Sequence, residues 1–276
     1  MKGLLLVPTI EETEWVQAVF PGLSPALLPI CGKRFIDYAI EQAWLWNFDV
    51  VEVLDWHYSE ALAKELSVVE RNILPVFYEK GEGPLPKTLD DLKRLSTPLT
   101  ENINRDISVV WGLQLDRRRA RSLSEWHNSN LDMLAANLGN PEAVFTIPGY
   151  FQKEGLSLGR DVKLGKGFQY DAPALLMNEV RCEHNVHIQG PCIVGNGSYI
   201  SEGTHLERTV ICDNTYIGPN LTLTDKIVRG NRVIDTVTGA WIDIEEPGMA
   251  RKVVPQFAWL DKILKLLGGT PTLWRA

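Results

Sequence analysis

The stretch "YISEGTHLERTVICDNTYIG", residues 199–218, has a hydrophobic spacing that decides the fold of this chain. Its aliphatic residues Ile200, Leu206, Ile211 and Ile217 lie six, five and six residues apart. A helix buries a stripe with a period of about 3.6 residues and a half-buried strand has a period of about two, so neither explains the spacing. A period of six predicts a solenoid of short strands separated by corners.

The same spacing extends from this stretch in both directions. Twelve consecutive units fit it, with one five-residue unit between Leu206 and Ile211. Two positions before most aliphatic residues comes a small or apolar residue, and because residues two apart in a strand share a face, both should point inward. Three units make one triangular coil, so residues eighteen apart should stack. The aliphatic places are Leu158, Leu164, Tyr170, Leu176, Cys182, Ile188, Val194, Ile200, Leu206, Ile211, Ile217 and Leu223.

The shortened unit and the corners lead to two further predictions. The missing residue most simply comes out of a corner, which puts Val210 and Ile211 side by side and makes Val210 the small inward residue. Glycine often follows the aliphatic place, as at Gly159 and Gly195. We expect these glycines to supply the backbone angles of a sharp bend.

The first half of the chain alternates strand and helix patterns instead. This alternation predicts a parallel α/β sheet with right-handed crossovers. The predicted strands are 3–7, 49–54, 76–78 and 106–112, and the predicted helices are 12–20, 34–46, 58–66, 88–95 and 122–138.

Composition limits the classes of function. The net charge of −7 argues against binding to a phosphate backbone, so we expect no nucleic-acid partner. The four cysteines have no metal-ligand or disulfide-frame spacing, which fits a reduced compartment. No apolar run is long enough to span a membrane or form a signal peptide, so the expected location is cytoplasmic.

An α/β half followed by a hexapeptide solenoid resembles the sugar-1-phosphate nucleotidyltransferases. The resemblance is specific in "SPALLPICGKRFIDYAIEQA" (24–43), and "LERTVICDNTYIGPNLTLTDKIVRGNRVID" (206–235) is similar to the β-helix tail of members found in exopolysaccharide gene sets. It implies a shortened, Rossmann-like nucleotidyltransferase domain at 1–150, a left-handed parallel β-helix at 151–240 and a C-terminal extension at 241–276. The extension carries an amphipathic pattern at about 257–267 that predicts a capping helix. The matching residues of the specific motif are Leu28, Pro29, Ile30, Gly32 and Lys33.

The motifs by which this family binds phosphate are altered here. Where the family has a glycine-rich loop after the first strand, this chain reads "VPTIEETEW" (7–15). Glycines let backbone N–H groups approach a phosphate, whereas Pro8 lacks an N–H and Glu11, Glu12 and Glu14 repel a triphosphate. The family's phosphate-neutralising lysine aligns with Pro25.

The resemblance also implies two carboxylates that hold a catalytic Mg²⁺, but this chain has a carboxylate at neither position. Leu113 and Arg119 stand at those places, and the family's sugar-binding segment between them is absent. A remodelled metal site would have to use Asp106 or Asp116. The candidates for substrate binding are Lys33 in the matching motif, and Asp55 and His57 just beyond a predicted strand, where ligand sites of α/β sheets lie.

Outward positions of the solenoid supply the remaining candidates. His187 and His205 lie eighteen residues apart, on one outward face. Some hexapeptide acyltransferases place a catalytic histidine on such a face, while the alternative is a pair of solvated or subunit-interface histidines. Leu175 and Ile193 also point outward, which predicts a covered face.

Three hypotheses follow. The first is a catalytically degenerate homologue acting as a regulatory or scaffold subunit in nucleotide-sugar or exopolysaccharide metabolism. The second is an active nucleotidyltransferase with a remodelled Mg²⁺ site, and the third is a hexapeptide acyltransferase using His187 or His205. The expected partners are a sugar phosphate or nucleotide sugar, and either further copies of this chain or an active family member.

Overall fold

The computed structural model describes residues 2–55, 73–77, 106–115 and 118–253. It divides into two compact units, Met1–Ile147 and Pro148–Ala276. The helices predicted at 58–66, 88–95 and 257–267 lie outside the described residues. The further division of the second unit at residue 240 stays a prediction.

The first unit contains the predicted parallel sheet. Its strands lie in the order β5 (Ile73–Phe77), β4 (Val50–Asp55), β1 (Lys2–Val7) and β6 (Asp106–Trp111), and all of its neighbouring pairs are parallel. This is the arrangement of an α/β sheet whose strand order reverses beside β1. The described elements are β1 (Lys2–Val7), α1 (Ile10–Val19), a 3₁₀ turn (Pro25–Leu27), β2 (Pro29–Ile30), β3 (Lys33–Arg34), α2 (Phe35–Leu45), β4 (Val50–Asp55), β5 (Ile73–Phe77), β6 (Asp106–Trp111), β7 (Gln114–Leu115), β8 (Arg118–Arg119) and α3 (Leu123–Asn137).

The capping residues explain where two of the helices begin. Thr9 caps α1 in a capping box with Glu12, so the helix begins at Ile10, two residues before the prediction. Ser122 caps α3 through the backbone N–H of Glu125. The strand predicted at 76–78 begins earlier, at Ile73.

The motif that carries the family resemblance forms a hairpin held by α3. Its tight turn places both Cys31 and Gly32 at positive φ, 45° and 80°. The Asn130 side-chain oxygen accepts the Cys31 N–H at 2.6 Å, and the Trp126 indole donates to the Pro29 carbonyl at 2.8 Å. Buried residues nearly 100 positions away therefore fix the hairpin. The nucleotidyltransferase-like assignment of this unit stays a prediction.

The second unit is the predicted β-solenoid. Its coils stack as three sheets, of which the largest is extended at both edges by antiparallel strands. The handedness stays a prediction from the resemblance. The strands are β9 (Phe151–Lys153), β10 (Leu156–Leu158), β11 (Lys163–Leu164), β12 (Gln169–Asp171), β13 (Ala174–Leu176), β14 (Arg181–Cys182), β15 (His187–Gln189), β16 (Cys192–Val194), β17 (Tyr199–Ile200), β18 (His205–Glu207), β19 (Val210–Ile211), β20 (Thr215–Ile217), β21 (Thr222–Thr224), β22 (Lys226–Arg229), β23 (Arg232–Asp235), β24 (Trp241–Asp243) and β25 (Ala250–Lys252).

The aliphatic residues of the repeat fill the solenoid core as predicted. Successive coils place Leu176, Val194 and Ile211 in register in one sheet, and all three are buried in the core. The outward Leu175 and Ile193 are also buried, as expected for a covered face.

The prediction for the shortened unit was wrong in its detail. Ile193 pairs with Val210, so Val210 takes the outward place and the buried Thr209 takes the small inward place. The Thr209 hydroxyl remains hydrogen-bonded in the core, because it donates to the Leu223 carbonyl at 3.0 Å.

A second shortened corner follows one coil later. Val210 pairs with Ile227, seventeen residues on, so Val228 rather than Ile227 points into the core. The two short corners lie at Arg208 and Asp225, which both adopt positive φ and are joined by an ion pair of 2.9 Å.

The glycines that follow the aliphatic places serve packing rather than bending. Gly159 and Gly195 do not adopt positive φ; a Cβ at either would clash with the backbone of the next coil. The left-handed backbone positions fall elsewhere on the corners, for example at Gly197 and Asn214.

All four cysteines are free thiols, and Cys31, Cys182 and Cys192 are buried. Burial raises the pKa of the Cys182 and Cys192 thiols to about 12, and the pKa of the Cys31 thiol is raised by burial as well. Because the thiolate is the reactive form, these side chains act as small core residues. No helix in the described ranges is long and apolar enough to cross a membrane.

Candidate functional site

The first candidate site is the edge of the α/β sheet at which β1 and β6 end. Strand order reverses between these two strands, and ligands of open α/β sheets bind outside the carboxyl ends at such a reversal. Val7 and Trp111 are in register as the last residues of the two strands, and the Gly112 N–H donates to the Val7 carbonyl at 2.8 Å. The segment after β1 has only Pro8 and Thr9 before α1 begins.

The carboxylate of Glu12 closes this edge. One of its oxygens accepts the Thr9 N–H at 2.8 Å, and the other accepts the Leu113 N–H at 2.8 Å. A Cβ on Gly112 would lie 2.8 Å from the Glu12 oxygen, so the strand end is packed directly against the carboxylate. The Glu12 carboxylate therefore accepts the hydrogen bonds of the N–H groups at the start of α1 and just after β6.

Glu12 is fully buried, which sets its electrostatics. Burial raises the pKa of the Glu12 carboxyl above its ordinary value, opposed by the hydrogen bonds from Thr9 and Leu113. The sequence interpretation took Glu12 only as a charge that repels phosphate. The capping-box spacing of Thr9 and Glu12 was a readable signal for its contact with the helix start, whereas the bond to Leu113 joins residues 101 positions apart.

The residues at the expected metal-binding places do not fit Mg²⁺. Leu113 is buried and apolar, and Arg119 carries the wrong charge for a cation site. Within the described residues, no group of three metal-ligating side chains comes together.

The sequence-predicted site residues of the α/β unit do not converge. Asp55 ends β4 at the carboxyl edge, but Asp106 begins β6 and pairs with Lys2, which places it at the opposite edge of the sheet. The predicted strand 106–112 already began at Asp106, and the parallel pairing of β6 with β1 shows that this end lies opposite the carboxyl edge. Asp116 and His57 lie outside the described residues.

Lys33 lies in the matching motif but has its charge satisfied within the chain. Its ammonium is 2.5 Å from the Glu41 carboxylate and 4.9 Å from the centre of the Tyr38 ring. These contacts give Lys33 a structural role in bracing the hairpin against α2.

The second candidate site is the outward histidine pair of the β-helix. His187 and His205 are in register, and their rings meet edge to face with centroids 4.7 Å apart. The His187 Nε2 atom lies 3.1 Å from a carboxylate oxygen of Asp171, in the preceding coil. The spacing of eighteen thus brought the two histidines together as predicted, while Asp171 escaped notice because it lies sixteen residues from His187.

Comparison with known proteins gives one distant relative. Over 100 residues the chain is 31% identical to a UTP–glucose-1-phosphate uridylyltransferase of Synechocystis sp.. The match covers 36% of this chain and 26% of that enzyme, so the chain spans about a quarter of the relative's length. No protein-family model matches the chain. The similarity and the β-solenoid together fit a sugar-1-phosphate nucleotidyltransferase that carries a β-helix.

Proposed function

We propose that this protein is a catalytically degenerate relative of the sugar-1-phosphate nucleotidyltransferases. It would act as a regulatory or scaffold subunit in nucleotide-sugar or exopolysaccharide metabolism. It would do so either as a homo-oligomer or in a complex with an active family member. The distant similarity to a uridylyltransferase supports the family. The proposed loss of catalysis is supported by the position of the Glu12 carboxylate, which lies where β1 and β6 end and the strand order reverses.

Charge at the end of the sheet accounts for the proposed loss of catalysis. Nucleotidyl transfer depends on positioning a polyphosphate and neutralising its charge with metal ions, basic groups and backbone N–H groups. Glu12 uses two of these N–H groups and adds a negative charge, and Leu113 and Arg119 supply no metal ligand at the expected places. A triphosphate therefore meets repulsion where the family needs attraction.

The test is nucleotidyl transfer and pyrophosphate release with UTP, dTTP and a panel of sugar 1-phosphates, in the presence of Mg²⁺. We expect no turnover above background for the native chain. Turnover that disappears with EDTA would contradict the proposal and favour the active enzyme with a remodelled Mg²⁺ site. A Synechocystis-type uridylyltransferase assayed in parallel shows that the conditions support the reaction.

One observation favours acyl transfer as a second candidate function. A carboxylate bonded to one histidine nitrogen orients the ring and makes it a better general base, and Asp171 is placed to do this for His187. The expected result is hydrolysis of acetyl-CoA, or transfer to an amino sugar, that falls by about a hundredfold or more in His187→Ala. His184→Ala changes an exposed histidine of the same solenoid whose Nδ1 accepts the Lys166 N–H; it is the control and should leave the rate unchanged. Absence of any acyl turnover in the native chain would eliminate this candidate.

A further inference from the structure

A groove on one face of the β-helix is built from residues that none of the functions above uses. It is open to solvent, has a volume of about 520 Å³ and lies beside the sheet formed by β11, β14, β17, β20 and β25. Its polar and aromatic lining includes Glu183, Tyr199, Ser201, Glu202, Tyr216 and Arg251.

Two stacked tyrosines form the wall of the groove. Tyr199 and Tyr216 are in register one coil apart, with ring centroids 5.6 Å apart and planes at 25°. The Arg251 guanidinium lies 4.7 Å from the centre of the Tyr216 ring, within the distance of a cation–π contact. The aromatic wall is therefore fixed before any ligand arrives, which lowers the entropic cost of binding.

Hydrogen bonds fix the same rings at their hydroxyl ends. The Tyr199 hydroxyl donates to the Glu183 carboxylate, and this bond raises the pKa of Tyr199 to about 12. The Ser201 hydroxyl donates to the Tyr216 hydroxyl oxygen at 3.1 Å, and the Glu202 N–H donates to Glu183 at 3.1 Å.

We propose that this groove binds a neutral saccharide. A pyranose ring has an apolar C–H face, which packs on an aromatic side chain, and a rim of hydroxyls that both donate and accept hydrogen bonds. Glu183 and Glu202 supply acceptors for those hydroxyls, and Arg251 supplies donors.

The charge of the groove selects a neutral ligand over an anionic one. Two carboxylates and one guanidinium line it, which leaves one net negative charge at neutral pH. A sugar phosphate or a nucleotide would bring its own negative charge towards the two carboxylates, whereas a neutral sugar would not. The groove thus differs in ligand class from a nucleotidyltransferase site, and its test is independent of the proposed function.

The experiment is saturation-transfer NMR and calorimetry on the full chain. The neutral probes are the methyl glycosides of glucose, galactose and mannose with maltose and cellobiose, and the anionic probes are glucose 1-phosphate and UMP. We expect binding of at least one neutral probe, with the anionic probes binding more weakly. Tyr216→Ala should weaken that binding by about tenfold or more.

Two further variants separate binding from folding. Glu202→Gln changes an exposed side chain, keeps the fold and should weaken binding severalfold. Tyr150→Ala removes an exposed tyrosine outside the groove and should change nothing. Lack of binding to every neutral probe, tighter binding of the anionic probes, or binding unaffected by both Tyr216→Ala and Glu202→Gln would overturn the proposal.

Discussion

Gly195→Ala is expected to lower the free energy of unfolding of the β-helix by about 3 kcal/mol. A Cβ at Gly195 would lie 2.6 Å from the backbone nitrogen of Asp213 and 2.8 Å from the carbonyl carbon of Cys212. Both atoms belong to the backbone of the next coil, so they cannot rotate away as the end of a flexible side chain would. The coils have to separate, and in a solenoid each coil is stabilised mainly by its neighbours.

Hydrogen exchange measured by mass spectrometry reports this change locally. Faster exchange is expected for peptides covering β16 and β19, the paired strands beside Gly195. Gly248→Ala is the matched control, because its Cβ would meet only the end of the Glu246 side chain, at 3.2 Å, and it should shift stability by less than about 0.5 kcal/mol. Equal stabilities of the two variants would mean that the coils are not packed as described.

Glu12→Ala is expected to destabilise the α/β unit by about 3 kcal/mol. The substitution removes a helix cap and leaves the N–H groups of Thr9 and Leu113 without their partner. Chemical denaturation followed by circular dichroism and by exchange of α1 peptides measures the loss. Glu11→Ala removes the same charge from an exposed neighbour and should cost less than about 0.5 kcal/mol.

The loss of stability caused by Glu12→Ala should also depend on pH, and the raised pKa of Glu12 fixes the direction of that dependence. The folded state holds the Glu12 proton more tightly than the unfolded state, so the contribution of Glu12 to stability is largest below pH 4.5, the ordinary value. It decreases as the pH rises through the pKa of Glu12 in the folded state. The difference between the native chain and Glu12→Ala is therefore larger at pH 4 than at pH 7, and the opposite trend would contradict the burial argument.

The same carboxylate connects stability with the proposed loss of catalysis. An α/β sheet in this arrangement offers an anion site where its strand order reverses, because backbone N–H groups point outward there. In this protein those N–H groups stabilise the fold through Glu12 instead. A mutation of Glu12 that reopened the site would therefore remove both the helix cap at Thr9 and the hydrogen bond from Leu113.

The sequence predicted the solenoid well because its signal is local and repeated. Each unit alternates inward and outward side chains, so Leu176, Val194 and Ile211 could be placed in the core without a structure. The spacing of eighteen likewise placed His187 beside His205. The prediction was wrong at the shortened corner, because one missing residue shifts the register there. Only the strand pairing shows that Thr209, not Val210, points inward.

In the described part of the α/β unit the sequence determined the order of the main strands and helices, but not which residues meet. Asp106 became a metal candidate from its charge although the predicted strand 106–112 begins with it, and the parallel pairing of β6 with β1 places it at the edge opposite the strand ends. Lys33 matched a family motif, but its partner Glu41 lies on the following helix.

The amino-acid sequence by itself thus determined a repeating β-helix and its inward residues, since alternation and period act over a few neighbouring positions. Only the tertiary structure decided that Glu12 reaches Leu113 and that Tyr199, Tyr216 and Arg251 form one wall. Those contacts join residues that are distant in sequence or belong to different coils, so they depend on how the chain returns on itself.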